Sequence, residues 1–387
     1  MGKTCRNCGA NFSISLEEKK FQERVDVPEP VECPICREQR RLTFRNERSL
    51  YLSECESCKK KTVSIYSPDK PYHVYCQTCW WSDKWDPVDV GRDFDFKRTF
   101  SEQFDELLHS SKLVALFGKN SINSEYVNQE TDDKNCYMNV GGHYNEDCFY
   151  NTYSIWGKNN VDNYWVIKSE LLYECIKCEN CFHSTYLQEC ENCSDCHFCR
   201  DMKGCNNCFG CFGLRHKEYY FFNEHMGKEK YEEKMNEMKK TKNWIESAFE
   251  STQKHFLNYP HKALEMINYE NSIGDDMLDC KNVKEGFLAQ RMEDGGHAYI
   301  AIDIKDSYDI SSIGWGEMLY NSASSGELNK TISVSSTWSS DNLQYCFVCH
   351  NSSDLFGCVG LNQKQYCILN KQYSKEEYEK LLPKIIE

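Results

Sequence analysis

Phe209-Gly-Cys-Phe-Gly-Leu214 returns 147 residues later as Phe356-Gly-Cys-Val-Gly-Leu361, and the reading of that return decides the fold. Downstream, Lys217, Tyr219 and Asn223 recur as Lys364, Tyr366 and Asn370, and Lys228, Glu229, Tyr231 and Glu232 as Lys375, Glu376, Tyr378 and Glu379. Upstream, Lys134 and Asn135 recur as Lys281 and Asn282, Glu146 and Asp147 as Glu293 and Asp294, and Lys158 and Asp162 as Lys305 and Asp309. Residues 122–235 and 269–382 are therefore two copies of one unit, aligned without a gap. Such a duplication is the mark of a repeat architecture. It is also an internal control, because whatever one copy lacks the fold does not require.

A finer period runs inside each copy. Tyr164, Cys175, Leu187, Phe198, Phe209 and Tyr220 follow at intervals of 11 or 12, and Tyr345, Phe356 and Cys367 at 11. Each interval holds a short β-prone piece, such as Glu218-Tyr-Tyr-Phe-Phe222, bounded by Asn, Asp, Ser or Gly. Two pieces per turn predict a rung of roughly 22 residues, a length that suits a β-solenoid. A pair of antiparallel β domains is the rival, and persistence of the short period favours the solenoid. Phe209 and Phe356 are expected at equivalent buried places, and Gly210, Gly213, Gly357 and Gly360 read as tight corners.

The 25 cysteines follow a start, Met-Gly-Lys-Thr-Cys-Arg-Asn-Cys, that lacks the apolar core of a signal peptide. Thiols and metal sites are then expected rather than disulfides, in a reducing cytoplasm. No apolar run is long enough to span a membrane. The net charge of −14 is uneven: residues 1–115 hold 19 basic and 19 acidic side chains, residues 116–387 hold 27 and 41.

Cys5-x2-Cys8 and Cys33-x2-Cys36 form two knuckles, and Cys55-x2-Cys58 and Cys76-x2-Cys79 two more. Four thiolates in paired knuckles match tetrahedral Zn²⁺, which a short segment needs in place of a core. The second module reads as a ribbon whose hairpin joins Thr62-Val-Ser-Ile-Tyr66 to Tyr72-His-Val-Tyr75. After the first module, Arg37, Arg41, Arg45 and Arg48 fall on one face at helical pitch, a candidate phosphate-contacting stripe for nucleic acid. The bland alternative is a solvated helix with Glu38 and Glu47 as local partners. Trp80, Trp81 and Trp85 read as packing beneath a metal module, with base stacking the alternative. Thr99-x-x-Glu102 is a capping box, and Phe100, Phe104, Leu107 and Leu108 make an apolar face that docks the ribbons onto the solenoid.

Several stretches resemble a family of uncharacterised multi-cysteine proteins known mainly from environmentally sequenced bacteria. They are Cys33-Pro-Ile-Cys-Arg-Glu-Gln-Arg-Arg41, Tyr66-Ser-Pro-Asp-Lys-Pro71, Trp80-Trp-Ser-Asp-Lys-Trp-Asp86, Gly91-Arg-Asp-Phe-Asp95 and Gln365-Tyr-Cys-Ile-Leu-Asn-Lys-Gln-Tyr-Ser-Lys-Glu-Glu-Tyr378. The resemblance covers nearly the whole chain and implies no activity. Because members of that family continue further, it implies that the second copy is a shortened version.

Ten cysteines lie between 175 and 211. Cys178, Cys181, Cys190 and Cys193 have four-ligand spacing, and Cys196, Cys199, Cys208 and Cys211 repeat it, so they are candidate further metal ligands. The second copy has Ser322, Ser325, Leu328, Thr337, Ser340 and Leu343 at six of the matching places, which favours packing. No catalytic fingerprint is present. The shared carboxylates Glu146/Glu293, Asp147/Asp294 and Asp162/Asp309 read as turn residues, with an acid/base pair on a solenoid face the alternative. The histidines, His143 and His297 among them, do not recur.

The expected architecture is mainly β: zinc ribbons at 1–50 and 51–91, a connecting helix at 92–121, solenoid copies at 122–225 and 269–373, a helical linker at 226–268 and a C-terminal helix at 374–387. The expected function is a zinc-binding scaffold for a macromolecule, with nucleic acid at the basic segment. The alternatives are an acidic solenoid that binds a protein as a polyanion mimic, and an enzyme acting on carbohydrate at the solenoid face.

Overall fold

The computed structural model describes residues 2–387 except 44, 47, 284, 285, 294, 297, 299, 300, 303, 312, 315, 318, 319, 323, 324, 329, 330 and 333–336. Glu47, Asp294 and His297 lie outside the described residues, as do the side chains of Ser325 and Leu328.

The chain is mainly β and winds into a β-solenoid of about 19 turns. A turn takes 12 residues, about half the expected rung, with 11 from Met266 to Met277 and 13 from Val283 to Gly296. Thr152 lies beside Tyr164, Tyr164 beside Ile176, and Ile176 beside Gln188, all parallel. Ala289, Ala301, Ile313, Ser325 and Thr337 step in the same way through the second copy.

The short turn has a backbone cause. Asn135, Met138, Gly141, Tyr144, Asp147 and Tyr150, three residues apart, all have φ between 52° and 75°. One residue in three thus makes a left-handed corner, the next points inward and the third outward, so four short sides close a coil. A left-handed residue with a side chain costs roughly 1–2 kcal/mol, and inward side chains offset it by bonding the backbone. The Asn151 N–H donates to Asn139 Oδ1 (2.9 Å), the Asn163 N–H to Asn151 Oδ1 (3.0 Å) and the Cys175 N–H to Asn163 Oδ1 (2.8 Å).

Helices cover one edge of the coil. After copy 1, α5 (Lys228–Lys239) and α6 (Trp244–Phe256) lie over Phe198, Phe209 and Phe221. After copy 2, α7 (Lys375–Ile386) follows at the 147-residue offset from α5. The place of α6 is taken by α4 (Phe100–Ser110), whose capping box is formed. A Cβ on Gly210 would meet Thr252 of α6, and one on the equivalent Gly357 would meet Phe100 of α4. Phe209 and Phe356 are both buried, at corresponding strand ends.

The N-terminal modules therefore pack on the second copy. In the first, α1 (Leu16–Arg24) sets Phe21 against Tyr308, ring centroids 5.2 Å apart. In the second, the Arg92 N–H donates to Leu369 O (3.1 Å), and Lys364 pairs with Asp86 (2.7 Å). Trp80, Trp81 and Phe117 surround the buried His350, which makes the tryptophans packing residues. Two expected boundaries move: strands of the coil already stand at Gly118–Lys119 and Met266–Glu270.

Candidate metal centres

Both N-terminal modules are built on one plan. In the first, β1 (Lys3–Thr4) and β2 (Asn11–Phe12) form a hairpin around Cys5 and Cys8. In the second, β3 (Tyr51–Glu54) and β4 (Lys61–Ser64) do the same around Cys55 and Cys58. This corrects the expected hairpin: Lys61–Ser64 pairs backward across the knuckle, while β5 (His73–Tyr75) runs parallel to β6 (Lys112–Val114). The knuckle turn is itself the hairpin loop, and Gly9 (φ 73°) and Lys59 (φ 60°) supply its left-handed residue. The second knuckle of each module opens a helix instead of closing another hairpin. Cys33 caps α2 (Pro34–Leu42) and Cys76 caps α3 (Gln77–Trp80), which carries Cys79.

The sulfurs of Cys5, Cys8, Cys33 and Cys36 lie within 4.8 Å of one another, as do those of Cys55, Cys58, Cys76 and Cys79. Cys8 Sγ is 3.7 Å from Cys33 Sγ, and Cys58 Sγ is 3.9 Å from Cys76 Sγ. Each group could hold one metal ion. The local electrostatics divide each group: one thiol is held toward thiolate, while hydrogen bonding with Cys8 and burial push Cys36 up to about 12, and burial first pushes Cys76 up to about 12. The backbone N–H of Cys33, 3.2 Å away, leads the donors that hold the Cys5 thiol down at about 6. Burial pushes Cys55 up, but the N–H groups of Cys58 and Cys76 outweigh it and bring it to about 7. No disulfide joins any of the 25 cysteines.

The cysteine ladder is a different object. Cys178, Cys181, Cys190, Cys193, Cys196, Cys199, Cys208 and Cys211 are all buried inward residues of the coil. Their CxxC spacing is the three-residue side of the solenoid. Among the described residues, no ladder group converges as the two N-terminal tetrads do. Their thiols bond the backbone instead: Cys181 Sγ donates to Glu179 O and Cys190 O (both 3.4 Å), and Cys199 Sγ accepts the Cys211 N–H (3.4 Å). Burial holds Cys190 well above the usual thiol range. The serines of copy 2 do the same work, since Ser340 Oγ accepts the Ser352 N–H (3.2 Å) and Ser352 Oγ the Lys364 N–H (3.1 Å).

The arginine stripe is not an exposed face. Arg37 is 2% exposed and Arg41 3%, both sealed against copy 2. Arg37 Nη1 reaches Glu18 Oε1 (2.9 Å) and Asp309 Oδ2 (2.8 Å). Arg41 Nη1 reaches Asp309 Oδ2 (3.3 Å), and its Nε donates to Ser311 Oγ (3.0 Å). Burial works against the Arg37 charge, but Asp309 and Glu18 more than restore it. Helix α2 ends at Leu42, so Arg45 and Arg48 lie beyond it and do not share its face. Asp309 is the ion-pair partner that the arginine spacing does not reveal. Its recurrence from Asp162 was the available signal.

Among the described residues, the shared carboxylates Glu146 and Asp147 of copy 1 serve the coil surface and not an acid/base pair. Glu146 joins Lys134 (2.7 Å) and Lys158 (3.7 Å) in a surface ion ladder, and Asp147 accepts from Asn135 Nδ2 (2.9 Å). A cleft between the copies is lined by Glu189, Asp201, Asp275 and Asp276, but Asp276 pairs with Lys177, and Asp201 with Arg215. Comparison with protein-family models and with curated proteins returns no match to this chain.

Proposed function

We propose that the protein is a macromolecule-binding scaffold, a duplicated solenoid whose two N-terminal clamps are locked by zinc. The observation that carries this is the pair of four-thiolate groups. Sulfurs bound to tetrahedral Zn²⁺ at about 2.3 Å stand about 3.8 Å apart, in line with the 3.7 and 3.9 Å separations across the knuckles. A site closed by four thiolates leaves no open position for substrate, so the ion's role is structural. It orders the short segments that carry Phe21, Arg37, Arg41 and Trp80 onto the second copy. The partner face is then the solenoid, which bears the acidic excess, and a protein fits it better than nucleic acid does. Twenty-five cysteines without a disulfide suit the reducing cytoplasm in which we place it. No helix among the described residues is long and apolar enough to cross a membrane.

Purified protein should carry two Zn²⁺ per chain, and Cys33→Ser should lose about one. Chelation should lower the melting temperature and release the N-terminal modules to protease. Fewer than one zinc per chain after metal-replete expression would sink the reading.

A further inference from the structure

One edge of the coil is where this molecule receives helices. In copy 1 it runs through Tyr137, Phe149, Val161 and Tyr173, neighbours on successive coils, and on to Phe209 and Phe221. Beside it runs the corner column Tyr150, Asp162, Glu174, Tyr186 and Phe198, set 12 residues apart. Over the last coils Phe249 of α6 packs on Tyr186 (4.7 Å) and Phe198 (5.0 Å). In copy 2 the edge is covered by α4, with Phe100 at 5.4 Å from Tyr345 and 5.1 Å from Phe356. Further up copy 2 it is covered by α1 and α2: Phe21 lies on Tyr308, and Arg37 and Arg41 close on Asp309.

The matching stretch of copy 1 is bare. Tyr308, Asp309 and Tyr320 correspond to Val161, Asp162 and Tyr173 at the 147-residue offset. There Tyr173 is 37% exposed and Asp162 and Glu174 are exposed, and on the coils just before it Tyr137, Phe149 and Tyr150 are 40%, 38% and 53% exposed. Among the described residues no arginine closes on Asp162 as two do on Asp309. The fold does not require these aromatics: copy 2 has Lys284, Gly296 and His297 where copy 1 has Tyr137, Phe149 and Tyr150. Half-exposed tyrosines beside two carboxylates make a poor surface to leave in water and a good anchor for arginine, which stacks on rings and bonds carboxylates in pairs.

We propose that this strip docks a helix of a partner protein that carries two arginines one turn apart next to an aromatic side chain. The proposal rests on the scaffold reading above and names the class of its partner. Coils stand about 4.8 Å apart, so Tyr137 to Tyr173 spans about 14 Å, two to three turns of helix. Helices α1 and α2, at nine residues each, are of that length. The Arg37–Arg41 spacing on α2 is the pattern that the chain itself uses at the equivalent place.

The test uses the full zinc-loaded chain and a labelled, capped, alanine-rich helical peptide with Phe, Arg and Arg on one face at successive turns. A comparator has Gln for both Arg. Fluorescence anisotropy should show binding that falls at least about tenfold with the comparator, with Tyr150→Ser, and with Asp162→Asn combined with Glu174→Gln. Equal binding of both peptides, undiminished binding by the double variant, or no binding by the native chain overturns the proposal. So does self-association that the double variant abolishes, because the occupant would be a second copy. Binding of RNA or a glycan through Tyr150 that ignores the acidic pair overturns it as well. Zinc content and melting temperature of the same samples separate the two readings: a chain with both ions that ignores the peptide loses the strip and keeps the scaffold.

Discussion

An inward residue of this coil has two duties, to fill a narrow interior and to bond the backbone at a corner. Asn, Ser and Cys all perform both, which is why they alternate freely along the solenoid. Cys199→Ser should therefore change stability in urea by under about 1 kcal/mol and leave the zinc content untouched. Cys199→Val can neither accept the Cys211 N–H nor donate, and should cost about 1–3 kcal/mol. Equal costs for the two would show that the thiol is mere filler. Glu130 and Asp133 put two carboxyl groups among the inward residues. Glu130 is buried beside Asp133 and accepts from Asn145 Nδ2 (3.1 Å). Burial first, and then Asp133, holds its carboxyl well above the usual range. The folded chain thus keeps a proton that the unfolded chain gives up above about pH 4. The stabilisation is full below that unfolded value and is lost as pH rises through the folded one. Glu130→Gln should raise the melting temperature at neutral pH and flatten its fall from acid to neutral. A slope identical to that of the native chain would rule this account out.

At the scale of elements, local signals were legible and distant partners were not. The knuckles announce themselves within a few residues, and Thr99-x-x-Glu102 with Phe100 and Phe104 announces a capped amphipathic helix. Nothing in those residues says which copy the helix meets. Arg37 and Arg41 have the same spacing whether they face phosphate or a buried carboxylate, and the deciding residue, Asp309, is far along the chain. The 12-residue turn was hidden for a different reason. Its corners fall on Tyr144, Tyr150 and Trp156, types that seldom adopt positive φ, so the pieces between them read as half-rungs. The docking of α2 makes a sharp prediction. Asp309→Asn leaves two buried guanidinium groups without a full counter-charge and should cost on the order of 3–5 kcal/mol. Hydrogen exchange should quicken across α1 and α2 and stay slow in copy 1. Uniform quickening through both copies, or none, would mean that this ion cluster does not hold the module.

At the scale of the whole molecule, the two copies receive their covering helices from opposite directions along the chain. Copy 1 is followed by α5 and α6. Copy 2 is followed by α7, and α4 stands where α6 stands on copy 1. The repeat was visible in the sequence because it is a correspondence of positions. The exchange was invisible because α4 and α6 share a task and no residues. The arrangement has a consequence for synthesis. On a ribosome adding about 5–20 residues per second, the roughly 250 residues between Phe100 and Phe356 take tens of seconds to appear. Throughout that interval Phe100 and Phe104 have no surface to cover, while copy 1, with α5 and α6 just behind it, can close at once. The nascent chain is then half finished and half adhesive, and how well it reaches its final form depends on what shields one short helix while the ribosome completes its seat.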